Sequence, residues 1–326
     1  MLGCGTIARR THLPAFREAG PDRVDVTVFA SRSRASAQAA AAQWGGGAVV
    51  ADWQDVLTRA DVDAVDICTP NATHAEMAVR AAEAGKHVLV EKPMATSLAE
   101  ADAMLAAAAA AGVVLMPAHN LRFGRGSQAA GLALSAGQAG EIVGVRASLG
   151  HSGPDAWAPG ADWFFDQHRS GGGALLDLGV HLVDLIRAVT MEELDDVTAV
   201  TRPRAGVEGI DNAAEVGFRL GNGAIGTWRA SWDTTPASGL LLTVIGTKGT
   251  VSIGAHPPVV RDANGTATEL PLLPAANPYA LFADACAGRG ALPVTGLDGR
   301  ATLAGVLAAY ESAATRRTVK VQQLAR

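Results

Sequence analysis

Met1-Leu2-Gly3-Cys4-Gly5-Thr6-Ile7-Ala8 opens the chain, and its last six residues match G-x-G-x-x-A. Each small residue in that pattern has a physical task. The first glycine permits a tight turn, the second lets a ligand approach the main chain, and the alanine lets the next helix pack close to a sheet. The helix start then offers unpaired N–H groups and a positive dipole end to an anion. An ordinary glycine-rich turn has the same composition, so the weight of the motif rests on its surroundings. Those surroundings alternate. Strand-like runs at Val24–Ala30, Ala48–Ala51, Ala64–Cys68, Val88–Glu91 and Val113–Pro117 are separated by helical stretches including Ala35–Gln43, Ala72–Ala84 and Leu98–Ala111. Such alternation predicts βαβ units and a parallel sheet with helices on both faces.

The fold class is therefore α/β, with a Rossmann dinucleotide-binding domain over residues 1–120. Ser97-Leu98-Ala99-Glu100 is a capping box opening one helix, and Gly112 closes it. Pro14 is expected to break the helix after the glycine turn following roughly two turns. Only Met1 and Leu2 precede Gly3, although the turn should follow a buried strand of about five residues. The first strand reads as truncated, and a start codon set too late is the favoured explanation.

Beyond Arg122 the pattern changes. Longer runs at Ile142–Leu149, Val197–Pro203, Ala213–Asp233 (broken at Gly221-Asn222-Gly223) and Leu240–Ile253 predict a largely antiparallel open sheet, the third run being a hairpin. Helical segments at Ala174–Ala188 and Leu303–Arg317 make residues 121–326 an α+β domain, read as the substrate-binding and oligomerisation part. No internal repeat is visible.

Composition removes several classes of function. The chain is 48% hydrophobic and 18% charged, with net charge −5 and 27 scattered basic residues, so it lacks the basic stripe that nucleic-acid binding requires. Its longest uncharged apolar run, Ala103–Ala118, is 16 residues and contains Gly112 and Pro117, whereas a bilayer span needs about 20. Arg9-Arg10 superficially resembles an export signal, but Pro14, Arg17 and Glu18 replace the apolar stretch that should follow. The cysteines (Cys4, Cys68 and Cys286) form no CxxC pair, which fits a reducing cytoplasm without a disulfide frame or a metal site.

The end of the second strand chooses between two dinucleotides. An acid there would bind a ribose 2′-hydroxyl. The chain has Ala30-Ser31-Arg32-Ser33-Arg34 instead, and the planar fork of Arg32 suits a 2′-phosphate. NADP is thus preferred over NAD. Thr69-Pro70-Asn71 ends another strand, with His74 three residues on. Asn71 suits the N-cap of the next helix, yet the carboxyl ends of such strands also line the ligand crevice. Glu91-Lys92-Pro93 follows the same logic. Of only four lysines, Lys86, Lys92, Lys248 and Lys320, Lys92 stands at a strand's carboxyl end, fixed by Pro93, and is a better candidate than a random surface lysine. A half-buried ammonium there can polarise a hydroxyl or carbonyl.

A third constellation follows Gly171-Gly172-Gly173. Asp177 and His181 are four apart on one helical face, with Asp184 three further on. A carboxylate beside a histidine orients the ring and stabilises its charge, as a proton shuttle requires. A surface ion pair has the same spacing. However, Leu175, Leu176, Leu178, Val180, Leu182 and Val183 make most of this helix buried, and buried polar groups need partners. Hydrogen-bonding and aromatic residues flank the helix: Asn120, Arg122, Trp157, Trp163, Asp166 and His168. They suit a polyol, which offers hydroxyls and a C–H face, although the tryptophans equally suit core packing.

Taken together, the glycine turn, Glu91-Lys92-Pro93 and the D-x-G-x-H-x-x-D run resemble the glucose–fructose oxidoreductase / inositol dehydrogenase / MocA (Gfo/Idh/MocA) family. Gly85-Lys86-His87-Val88 and Gly246-Thr247-Lys248-Gly249 extend the resemblance over nearly the whole chain. The family implies a pyridine-nucleotide domain followed by a domain whose sheet mediates homo-oligomers, here a dimer or tetramer. By that resemblance Lys92 holds the reacting oxygen, His181 passes its proton and Asp177 supports the pair. Asn71 and His74 neighbour the nicotinamide ribose. The cofactor set is Gly3, Gly5, Thr6, Ile7, Ser31, Arg32, Thr69, Pro70, Asn71, His74, Glu91, Lys92 and Asn120. The substrate set is Lys92, Asn120, Arg122, Trp163, Asp177 and His181.

The implied reaction is reversible oxidation of a secondary alcohol on a sugar, sugar derivative or cyclitol. Neither Tyr279 nor Tyr310 has a lysine four residues on, so a Tyr-x-x-x-Lys relay cannot be built. Two rivals remain: an NAD-dependent glycosidase that oxidises its sugar transiently, and a sugar- or nucleotide-sensing regulator without chemistry.

Overall fold

A computed structural model describes residues 1–234, 239–254 and 257–324. Chain proximity divides it into two units. The first holds Met1–Ala118 and Asn277–Arg300, the second His119–Ala276 and Ala301–Arg326. The boundary read near residue 120 is thus joined by a late segment that returns to the first unit. The reason is apolar: Tyr279 and Phe282 are buried, and Tyr279 packs edge-on against Phe16, with ring centroids 5.4 Å apart.

In the first unit, short apolar strands pair in parallel. β1 (Val28–Ala30) lies beside β2 (Ala48–Val50), and β3 (Ala64–Ile67) beside β4 (His87–Val90), which pairs with β5 (Leu115–Pro117). Phe29, Val65, Ile67, Val88, Leu89 and Val90 are fully buried, as strands covered on both faces must be. Leu2 joins the two halves, bridged in parallel to both Ala30 and Ile67. Its N–H donates to the Asp66 carbonyl at 2.7 Å and its carbonyl accepts from Cys68 at 2.7 Å. Two residues therefore hold the place of the central first strand. The amino group of Met1 is buried and donates to the Val28 carbonyl at 2.8 Å, and burial holds its pKa below the ordinary value. A cavity of about 370 Å³ adjoins Met1, lined by residues 24–28 and 61–66. β1 starts at Val28 rather than Val24.

The helices begin where local chemistry allows. α1 (Leu13–Ala19) does not break at Pro14; a π-helical turn over Ala8–His12 precedes it, so the proline falls in the first turn of α1. There its missing N–H and its ring are tolerated. α2 (Arg34–Trp44) is capped by Ser33. α3 (His74–Glu83) follows a 3₁₀ turn at Asn71–Thr73, so Thr73 rather than Asn71 occupies its N-cap position. α4 (Leu98–Ala111) has the expected capping box of Ser97 and Glu100 and ends at Gly112, whose φ is 66°.

The second unit is built on a nine-stranded mixed sheet ordered β13-β12-β11-β10-β6-β9-β8-β7-β14. Its strands are β6 (Ile142–Gly150), β7 (Leu194–Pro203), β8 (Asp211–Leu220), β9 (Ile225–Ser231), β10 (Leu240–Gly246), β11 (Gly249–Ile253), β12 (Val259–Asp262), β13 (Ala267–Glu269) and β14 (Val319–Lys320). Among the described residues, the β6–β9 pair is the one parallel pair of this sheet. The run Leu240–Ile253 is two strands, because Gly246 pairs directly with Gly249 across the tight turn at Thr247-Lys248. α5 (Arg125–Ser135) and α6 (Ala174–Thr190) belong to this unit. α6 packs on β6, β8 and β9. Gly179 permits that approach, since a Cβ there would lie 3.1 Å from the Trp228 ring. α7 (Pro278–Cys286) lies in the first unit, and α8 (Gly296–Thr315) carries residues of both.

Candidate active site

Two sets of functional side chains emerge, one in each unit. In the first, Gly3 has φ +87°, and a Cβ there would lie 2.5 Å from the Cys68 carbonyl. Glycine is obligatory. Gly5 differs: it is exposed, with no heavy atom within 4 Å of where a Cβ would stand. Helix begins at Thr6 and Ile7, so open space adjoins a helix N-terminus, as a dinucleotide's phosphates require. The residues fit that group. Arg32 is exposed at the end of β1, while the Ser31 hydroxyl accepts from the Ser33 N–H at 3.3 Å.

The turns after β3 and β4 are tied together. His74 is buried, with Nδ1 2.8 Å from the Pro93 carbonyl and Nε2 2.9 Å from the Thr69 carbonyl. Burial pushes its pKa down, against the pull of both carbonyls. The side chain expected beside the cofactor thus spans the two turns that carry Thr69-Pro70-Asn71 and Glu91-Lys92-Pro93. Asn71 is buried at the start of its 3₁₀ turn, and the Thr73 hydroxyl donates to the Pro70 carbonyl at 2.7 Å. Glu91 Oε2 accepts from the Lys92 N–H at 3.0 Å.

His12, which the sequence reading passed over, stands at the centre of this arrangement. It is fully buried, with Nδ1 2.9 and 3.0 Å from the two Asp66 oxygens and Nε2 2.8 Å from Glu91 Oε1. Cys68 donates to Asp66 at 3.6 Å. Although His12, Asp66 and Cys68 have ligating atoms within 4.8 Å of one another, burial pushes the Cys68 thiol up to about 12. His12 and Cys68 both hydrogen-bond to Asp66, which ties the cluster together. Its one sequence signal was spacing: His12 lies four residues after Ala8, on the face that packs on the sheet.

In the second unit, Asp177 is buried near the start of α6 and accepts a hydrogen bond from Trp232 Nε1 at 3.0 Å. His151 Nε2 is 3.5 Å from the same oxygen. The Gly153 N–H donates to His151 Nδ1 at 2.9 Å, which leaves the proton of a neutral ring on Nε2, facing Asp177. His181 follows one turn later, half-buried. Asp184 is buried one further turn along and holds Arg122 through both oxygens, Nε to Oδ2 at 3.0 Å. Arg122 is thus pinned to α6 by a charge pair. Trp232 and His151 were missed, although Trp228, Ala230 and Trp232 alternate onto one buried face.

The helix start is fixed from a distant strand. Asp211 accepts from the Gly173 N–H at 3.0 Å, the Leu175 N–H at 2.7 Å and the Tyr310 hydroxyl at 2.6 Å. Desolvation raises its pKa, while the Tyr310 and main-chain donors pull it back. A Cβ at Gly172 would strike the Tyr310 hydroxyl, and one at Gly173 would strike the Asp211 main chain. The close approach allowed by the glycines is therefore to this clamp.

Of the flanking residues, Trp163 stacks on Phe164 with centroids 3.9 Å apart, and Phe164 meets Trp157 and Trp232 edge-on. His151 also lies edge-on to Trp157. Asp166 caps the one-turn helix Gln167–Ser170 through the His168 N–H, and His168 is exposed. Asn120 Oδ1 is buried without a hydrogen-bond partner among the described residues, which leaves an acceptor for a ligand.

Comparison with known proteins agrees with both halves. Residues 1–119 match the oxidoreductase family with an NAD-binding Rossmann fold, and residues 128–252 match the GFO/IDH/MocA C-terminal domain. A 1,5-anhydro-D-fructose reductase of Ensifer adhaerens is 32% identical, over 99% of this chain and 98% of that protein. Levoglucosan dehydrogenase in complex with NADH and levoglucosan superposes with a TM-score of 0.87 at 26% identity, covering 99% of this chain and 98% of that one. The WlbA dehydrogenase from Bordetella pertussis, in complex with NADH and UDP-GlcNAcA, gives 0.86 at 26% identity over the same shares. The chain belongs to the Gfo/Idh/MocA family of NAD(P)-dependent oxidoreductases.

Proposed function

We propose that the protein interconverts a secondary alcohol and a ketone on a sugar, sugar derivative or cyclitol, with NADP preferred over NAD. The observation that carries this reading is Lys92, which follows the carboxyl end of β4 in a turn fixed by Glu91 and His74. The relatives named as sugar reductases and dehydrogenases supply the substrate class.

When bound, the nicotinamide supplies the hydride acceptor or donor. Gly3, Gly5, Thr6 and Ile7 would hold the diphosphate of the dinucleotide, Ser31 and Arg32 its adenosine ribose, and Thr69, Pro70, Asn71 and Asn120 the remainder. Glu91 and His74 serve the same site by holding its turns. Lys92 steadies negative charge on the reacting oxygen, an effect worth about 3–4 kcal/mol where water is excluded. His181 carries the hydroxyl proton. Asp177 stabilises that charge on imidazole while Trp232 and His151 hold its carboxylate in place. Trp163 offers an aromatic plate to the sugar's C–H face, and Arg122, fixed by Asp184, serves the substrate's polar groups.

The same reading places the enzyme in a reducing cytoplasm, since Cys4, Cys68 and Cys286 are all free thiols. No helix among the described residues is long and apolar enough to cross a membrane. Self-association through the nine-stranded sheet completes the proposal.

The test is Lys92→Ala. Turnover should fall by about 10³-fold, while NADPH binding, followed by its fluorescence, changes little. Turnover at the wild-type rate would remove Lys92 from the mechanism.

A further inference from the structure

Both ring nitrogens of His12 face carboxylate oxygens, which only accept. With both carboxylates ionised, a charged ring donates at each nitrogen, and this geometry favours His12 as an imidazolium. Burial opposes that charge, but Asp66, Cys68 and Tyr279 outweigh it and raise the imidazole well above its usual range. A buried cation with two buried anions is a fixed charge system, because removing one member leaves the others uncompensated. The groups around the ring come from every neighbouring element: Asp66 at the end of β3, Cys68 beyond it, Glu91 after β4, and Tyr279 on α7, whose ring is 4.7 Å from that of His12.

The network leads to one place. Glu91 gives Oε1 to His12 and Oε2 to the Lys92 main chain. His12 is also the last residue of the π-helical turn that follows the glycine motif. Such turns displace a side chain from the regular helical face and recur at functional sites. We propose that His12 is a positioning residue for Lys92, acting through Glu91, and thereby couples the glycine-turn helix to the turn that carries the reacting lysine. The role rests on the reading of Lys92 as the residue at the reacting oxygen. His12 itself is fully buried.

The chain's four lysines make a direct readout available. Reductive ¹³C-methylation gives each lysine a separate resonance, and loss of one signal in Lys92→Arg assigns Lys92. With the imidazolium gone, Glu91 acts on Lys92 without its counter-charge, so in His12→Gln the Lys92 signal should titrate higher, by about half a unit or more. In Glu91→Gln it should titrate lower. Lys86, Lys248 and Lys320 should not move, and in His12→Gln the Kd for NADPH should stay within about threefold. A Lys92 signal unchanged in both variants, or movement of all four lysines together, would overturn the proposal. If His12→Gln does not fold, Glu91→Gln, which retains the His12–Asp66 pair, decides alone: an unmoved Lys92 signal refutes the coupling. The outcomes separate from those of the functional reading. An active Lys92→Ala enzyme refutes the role of Lys92, whereas an inactive one with an unresponsive Lys92 signal in His12→Gln refutes only the role of His12.

Discussion

At the scale of single residues, charge placement decides what the protein can bind. Arg32 stands exposed after β1 with no acid beside it in Ala30-Ser31-Arg32-Ser33-Arg34. A hydrogen bond to a charged partner contributes about 1.5–3 kcal/mol, so Arg32→Ala should weaken NADPH by about 10- to 100-fold and leave NADH nearly unchanged. Fluorescence titrations with both nucleotides check this, and equal weakening would refute a phosphate contact. His12 predicts a pH dependence. Its folded pKa lies above the ordinary 6.5, so the stability it adds is full below the unfolded value and is lost as pH rises through the folded one. Urea midpoints should fall on the alkaline side in the wild type and fall less in His12→Gln. Sequence alone made Arg32, Lys92 and Asp177 visible because each stands at a recognisable strand end or helical spacing. It left His12 unread because its partners, Asp66 and Glu91, are 54 and 79 residues away.

At the scale of elements, local rules found most helices and strands, and misjudged places where a neighbour intervenes. The capping box of α4 is entirely local, and its limits match the reading. Pro14 was expected to break a helix; the π-helical turn before it absorbs the missing donor instead. The space beside Gly172 and Gly173, just before α6, is taken by Tyr310 and Asp211, contacts that no spacing rule could supply. Asp211 holds two main-chain N–H groups at the start of α6 and the Tyr310 hydroxyl. Each buried donor left unpaired costs about 1–3 kcal/mol. Asp211→Ala should therefore lower unfolding stability by about 2–5 kcal/mol and reduce turnover, since α6 carries Asp177 and His181. Asp211→Asn, which keeps one acceptor, should lose less. An unchanged urea midpoint in Asp211→Ala would show that the clamp does not hold the helix.

At the scale of the whole molecule, the alternation of βαβ units and the later change to long strands were enough to read a Rossmann unit and a mostly antiparallel second sheet. The return of Asn277–Arg300 to the first unit was not legible, because it depends on tertiary packing of Tyr279 and Phe282. One face of the nine-stranded sheet is covered by α6. The other carries Val200, Ile225 and Leu241, which are 67%, 62% and 47% exposed. Registry places Val200, Glu215, Arg229, Ser148 and Leu241 in one row across five strands. An apolar-flecked face of this kind suits a second copy of the chain. Ile225→Lys with Leu241→Glu should shift the light-scattering mass toward the monomer while leaving cofactor binding intact; an unchanged mass would place the interface elsewhere. The most direct test of the whole account follows the absorbance of reduced nicotinamide with 1,5-anhydro-D-fructose, levoglucosan and myo-inositol, using NADP and NAD in parallel. The account predicts net, stoichiometric oxidation or reduction of the cofactor with at least one of these, faster with NADP. Tight cofactor binding with no net change for any of them, alongside glycoside cleavage or no chemistry at all, would contradict it.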